Sequence, residues 1–160
     1  MTNTRERLIV AMDLSTLESV KCTLDNIGDA VSYYKIGMES FYSLGEAALT
    51  LMAANRKKVF LDLKLHDIPN TVSRSVKALC RYAPAMTTLH AAGGPAMLRA
   101  AVEAAAEASA QLDQERPKLL GITVLTSIDE TEWTAVGHTH SIRDSVLRLA
   151  EMCRLSGMDG

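Results

Sequence analysis

The chain has 160 residues, 48% hydrophobic and 22% charged, with a formal net charge of −2. This balance fits one soluble globular domain with a real core, and it excludes a nucleic-acid footprint because no basic run exceeds Arg56-Lys57-Lys58. Three widely spaced cysteines (Cys22, Cys80, Cys153) form no CxxC and point to reduced thiols in a cytoplasmic protein, while the apolar stretch Leu8 to Met12 is too short for a signal core or a membrane span.

Apolar runs then alternate with helical patterns. Leu8 to Asp13 reads as a strand, followed by Ser15 or Thr16 as the cap of a helix running to about Asn26. Ser32 to Ile36 reads as a second strand and Ser40 to Asn55 as its helix. The third strand is Lys58 to Lys64, with a helix from about Asn70 or Thr71 to Tyr82 and Pro84 as a stop signal. Ala85 to His90 is a fourth strand, Pro95 to Ala110 an alanine-rich helix, and Lys118 to Leu125 a fifth strand. Ser141 to Leu155 forms a last helix closed by Gly157, and Gly157 to Gly160 reads as the approach to a sixth strand.

Repeated strand-then-helix units predict a parallel sheet, either an open doubly wound sheet or a (β/α)8 barrel. Asp13, Lys35, Asp62 with Lys64, His90, and Thr126 with Ser127 fall at or just past the carboxyl ends of five successive strands. Reactive groups spread over many strand ends are how a barrel builds its active face. An open sheet concentrates them at one switch point with a glycine-rich loop, and Asp13-Leu-Ser-Thr16 offers neither GxGxxG nor a P-loop. The expected fold is therefore a (β/α)8 TIM barrel, with residues 1–160 supplying about its first five units as one incomplete domain.

The stretch Phe60-Leu-Asp-Leu-Lys-Leu-His-Asp-Ile-Pro-Asn-Thr-Val72 carries the most chemistry. Side chains alternate in a strand, so Phe60, Asp62 and Lys64 share one face while Val59, Leu61 and Leu63 share the other. A carboxylate and an ammonium held together at a strand end suit the handling of protons or of developing negative charge. Asp62-x-Lys64-x-x-Asp67 alone is equally consistent with a structural ion pair.

The extension Ile68-Pro-Asn-Thr-Val72 gives the motif more weight. Together with Val10-Ala-Met-Asp13, Tyr34-Lys35-Ile-Gly37, Leu89-His90-Ala-Ala-Gly-Gly94 and Val124-Leu-Thr-Ser127, it resembles the signature of the orotidine 5′-phosphate decarboxylase family, in the family's order and closest to its bacterial branch. The resemblance implies a cofactor-free, metal-free conversion of orotidine 5′-monophosphate to uridine 5′-monophosphate in pyrimidine synthesis. Lys64 resembles the lysine that protonates C6 after carbon dioxide leaves, and Asp62 the carboxylate beside the substrate's own. Asp67 resembles the second acid of an alternating charge network, Lys35 the lysine that completes it, and Asp13 a ribose contact. Thr126 and Ser127 match positions that meet the base, whereas His90 matches no proton-transfer role. Asp67, Ile68 and Thr71 match residues that cross a dimer interface, which implies a homodimer with shared sites.

Decarboxylation leaves an electron pair on carbon, which a preorganised ammonium stabilises and then protonates. Flanking carboxylates favour the charged lysine, which argues against a Schiff-base role. The family's phosphate grip belongs to later strands beyond Gly160, so a piece ending there is expected to show little activity and open, association-prone edges. Two alternatives remain: a metal-dependent sugar-phosphate decarboxylase or aldolase of the same barrel type, and an inert half-barrel. His138-x-His140 lacks a third metal ligand at suitable spacing, Gly93-Gly94 suits a tight turn at least as well as a phosphate, and Trp133 needs only packing. Glu103 and Glu107 read as a solvated helix face.

Overall fold

A computed structural model describes residues 4–160. Five strands, β1 (Ile9–Ala11), β2 (Tyr33–Gly37), β3 (Lys58–Leu65), β4 (Met86–His90) and β5 (Lys118–Ile122), form one sheet in the order β1-β2-β3-β4-β5, every pair parallel. The order follows the sequence without reversal, so there is no switch point of the kind a doubly wound sheet requires. Among the described residues seven α-helices accompany the strands: α1 (Leu17–Ile27), α2 (Met38–Leu44), α3 (Glu46–Ala54), α4 (Pro69–Cys80), α5 (Gly94–Gln111), α6 (Glu130–Ala135) and α7 (Ile142–Leu155).

The apolar strand residues face the helices. One cluster joins Tyr34, Ile36, Leu61 and Leu63 to Val20, Leu24, Leu49 and Met52; a second joins Leu89 and Leu119 to Val72, Val76, Met97, Leu98 and the alanines of α5. Alanine lets α5 sit close against α4 and the sheet, and each fully buried Leu or Val contributes roughly 1.5–3 kcal/mol of transfer free energy. The other sheet face carries Phe60, Met86 and Leu120 only half-buried, with the polar residues above them toward the strand ends. Such one-sided cover, with sequential parallel strands, is the arrangement of the first five units of a (β/α)8 barrel.

Local chemistry explains the element ends. Thr16 caps α1 by accepting the Ser19 N–H at 3.2 Å, and Ser141 caps α7 by accepting that of Asp144 at 3.1 Å. Pro69 opens α4 where no helical donor is needed. The helix expected over 40–55 is two helices, because Gly45 takes φ +56° between α2 and α3. β5 stops at Ile122, paired with His90, since β4 turns into a short 3-10 segment at Ala91 and leaves no further partner. After α7, Gly157 (φ +84°) turns the chain back, and Asp159 N–H donates to Leu119 O while Gly121 N–H donates to Gly160 O. Residues 158–160 thus lie along β5 where a sixth strand was expected.

Candidate active site

Parallel register brings the strand-end charges level with one another. Ala11 pairs with Lys35 and Gly37 with Asp62, so Asp13, Lys35 and Asp62 project from adjacent strands at one end of the sheet. Lys35 Nζ lies 3.4 Å from Asp13 Oδ1 and 3.7 Å from Asp62 Oδ2; Lys64 Nζ donates to Asp62 Oδ1 at 2.9 Å. Acid and base therefore alternate along Asp13–Lys35–Asp62–Lys64. Side-chain exposure falls from 58% at Asp13 to 25% at Lys35 and 15% at Asp62, then rises to 24% at Lys64, so the carboxylate between the two ammoniums is the most enclosed member.

Three neighbours shape this row. Gly37 lies beside it with no side chain, and a Cβ there would come 3.3 Å from Lys35 Nζ and 3.5 Å from Asp13 Oδ1, which leaves Lys35 room to reach between two carboxylates. Ser40, buried in α2, accepts the Leu14 N–H at 3.0 Å, donates to Leu14 O at 2.8 Å and lies against Met12 O, pinning the turn that carries Asp13. Thr88 donates to Asp62 Oδ1 at 3.0 Å. Burial pushes the Asp62 carboxyl up, but the hydrogen bonds from Lys64 and Thr88 and the charges of Lys64 and Lys35 outweigh it and hold the group below the ordinary carboxylate range.

The other sequence candidates are placed differently. Asp67 lies in the loop after β3, where its Oδ1 accepts the Ile68 N–H at 2.7 Å and no ion pair joins it to Lys64. Ile68 is largely exposed, as is Thr71 in the first turn of α4. Thr126 and Ser127 occupy the exposed turn after β5, closed by Ile128 N–H to Leu125 O, with no side-chain hydrogen bond to the charged row. His90 ends β4 with its ring 5.4 Å from that of His66; burial lowers its pKa, aided by His66 and Lys64, so it stands neutral beside the ammonium.

Gly93 and Gly94 are used by the β4–α5 turn itself. A Cβ on Gly93 would run into the Met97 side chain, and Gly94 has φ +83°. His138 stacks on Trp133 at 3.5 Å between ring centroids, and the Trp133 indole N–H donates to the His140 carbonyl at 3.0 Å, so this pair serves the packing of the α6–α7 segment. Sequence reasoning missed Ser40 and Thr88, since two hydroxyls in ordinary helix and strand positions carry no signal without the register, and it met Gly37 only as part of a motif, without the space it leaves for Lys35.

The chain matches the model of the orotidine 5′-phosphate decarboxylase / HUMPS family over residues 6–160. It is 38% identical over 156 residues to the orotidine 5′-phosphate decarboxylase of Trichlorobacter lovleyi, covering 98% of this chain and 64% of that protein. The crystal structure of orotidine 5′-phosphate decarboxylase from Lactobacillus acidophilus superposes with a TM-score of 0.89 at 38% identity, covering 98% of this chain and 70% of that one. An uncharacterized conserved protein from Geobacillus kaustophilus does so with a TM-score of 0.89 at 35% identity, over 95% of this chain and 71% of the other. The chain spans 62–65% of the length of the curated relatives it matches.

Proposed function

The chain belongs to the orotidine 5′-phosphate decarboxylase / HUMPS family, and we propose that its protein converts orotidine 5′-monophosphate to uridine 5′-monophosphate without metal or cofactor. The observation that carries the reading is the unbroken alternation Asp13–Lys35–Asp62–Lys64 at the carboxyl ends of three adjacent strands. In this reading the substrate's carboxylate sits beside Asp62 and departs as carbon dioxide. The electron pair left on C6 develops against the Lys64 ammonium, which stabilises it and then donates a proton to that carbon. Lys35 and Asp13 meet the ribose hydroxyls, and Thr126 and Ser127 meet the base.

Each carboxylate in the row already has an ammonium neighbour, which supports charge stabilisation by lysine over a metal-centred reaction at the same place. Asp67, Ile68 and Thr71 are exposed and form no ion pair or hydrogen bond with the row, which supports their use by a second subunit: a homodimer in which these residues complete the partner's site. A nucleotide substrate and three free thiols fit a cytoplasmic enzyme of pyrimidine synthesis. No described helix is long and apolar enough to cross a membrane.

The test is calorimetric titration with a 6-substituted uridine 5′-monophosphate that mimics the carbanion, beside a Lys64→Ala control. Tight binding that the variant loses supports the reading. A folded protein that binds no such ligand, or binds it equally well without Lys64, overturns it.

A further inference from the structure

Lys64 occupies an unusual backbone position. Its φ is +50°, in the left-handed region that non-glycine residues seldom adopt. The β3–β4 ladder explains why. Leu61 pairs with Thr87 and Leu65 with Leu89, so three residues of β3 (Asp62, Leu63, Lys64) face one residue of β4, Thr88. This bulge removes Lys64 from the regular ladder and re-aims its side chain, a use of bulges that recurs beside active sites.

The backbone amide that lost its ladder partner finds one in a side chain. Lys64 N–H donates to Thr88 Oγ1 at 2.9 Å, and the same hydroxyl donates to Asp62 Oδ1 at 3.0 Å. Asp62 Oδ1 is also the oxygen that receives Lys64 Nζ, at 2.9 Å. The three bonds close a ring: the Lys64 amide fixes which way the hydroxyl points, the hydroxyl fixes the carboxylate oxygen, and that oxygen fixes the ammonium. Thr88 is 1% exposed, so water does not compete for these contacts. Only a group that accepts and donates at one atom can hold this place, and a hydroxyl does so.

We infer that Thr88 is the positioning residue of this site, its hydroxyl standing in for the missing strand partner of Lys64 and locking the Asp62 oxygen to which the ammonium is held. The role rests on the decarboxylase reading of Lys64 and Asp62, but the geometry it predicts can be read without turnover. Asp62 is faced by Lys64 and Lys35, with Asp13 beyond Lys35 and His66 and His90 on the Lys64 side.

The experiment compares the wild-type chain with Thr88→Val and Thr88→Ser by carboxyl NMR titration of Asp62, amide exchange at Lys64, and affinity for the 6-substituted uridine monophosphate. Thr88→Val keeps the shape and removes the hydroxyl. It moves the Asp62 midpoint upward, and it speeds Lys64 exchange and weakens ligand binding by about tenfold or more, the size of one hydrogen bond to a charged group. Thr88→Ser restores all three although it lacks the methyl, which a packing role would not allow. An unchanged Asp62 midpoint and Lys64 exchange rate in Thr88→Val overturn the inference while leaving the decarboxylase reading intact. Should the valine variant not fold, a shift of either quantity in Thr88→Ser overturns it equally. A wild-type protein that fails to bind the nucleotide overturns the decarboxylase reading, and the positioning role with it.

Discussion

Replacing Asp62 by asparagine keeps the shape of the side chain and removes the charge between two ammoniums. Lys64 Nζ stands 2.9 Å and Lys35 Nζ 3.7 Å from its oxygens. At an effective dielectric of about 20 these separations correspond to attractions of roughly 6 and 4 kcal/mol before desolvation. The cost of enclosing the charges cancels most of this sum, and losing one member of a mostly buried pair leaves a net destabilisation of about 3 kcal/mol. That difference depends on pH in a defined direction. The folded Asp62 carboxyl titrates below its unfolded value, so between those two values the unfolded chain binds more protons. Its contribution is complete above the ordinary aspartate range near pH 4 and is lost as pH falls through the folded midpoint. Urea unfolding of wild type and Asp62→Asn across pH 7 to pH 2 therefore gives a gap of about 3 kcal/mol at neutrality that narrows in acid. A gap that stays constant through the acid range, or that widens, refutes the ion-pair account of this residue.

Backbone strain at Lys64 leads to a comparison of two loss-of-charge variants. Lys64→Gly accepts φ +50° freely and Lys64→Ala does not, so thermal denaturation finds the glycine variant more stable by about 1 kcal/mol, although both lose nucleotide binding. Equal melting of the two contradicts the left-handed assignment. Gly45→Ala, at φ +56° and ψ −136° with open space around its Cβ position, costs about 1–3 kcal/mol from backbone conformation alone, and a neutral or stabilising effect in the same assay refutes a conformational origin for the break between α2 and α3.

The strands and the members of the charged row were legible because both follow from periodicity. Alternation placed Asp62 opposite Leu61 and Leu63, and parallel pairing of neighbouring strands turns strand-end positions into spatial neighbours. Three features were hidden for physical reasons. The bulge at Asp62–Lys64 leaves the apolar alternation of β3 intact, so the chain reads as a plain strand although Lys64 has left the ladder. Gly45 sits within an apolar, alanine-rich run whose helical pattern continues across it, and only its backbone conformation marks the break. The short α6, capped by Asp129 accepting the Glu132 N–H at 2.9 Å, has one buried anchor, Trp133, too few apolar positions to set a period. Asp67 shows the opposite limit. The resemblance implied its membership of the charge network and its use across a dimer interface, and within one chain its carboxylate accepts the neighbouring Ile68 N–H.

The most direct test of the central proposal is carbon dioxide release from carboxyl-labelled orotidine 5′-monophosphate by the purified protein in a form that includes the later barrel strands, measured with excess chelator and with a Lys64→Ala control. The account predicts release that persists under chelation and falls by at least about a hundredfold without Lys64, the scale expected for loss of a preorganised charge at the reacting atom. Release that chelation abolishes, or that Lys64→Ala leaves unchanged, would contradict it.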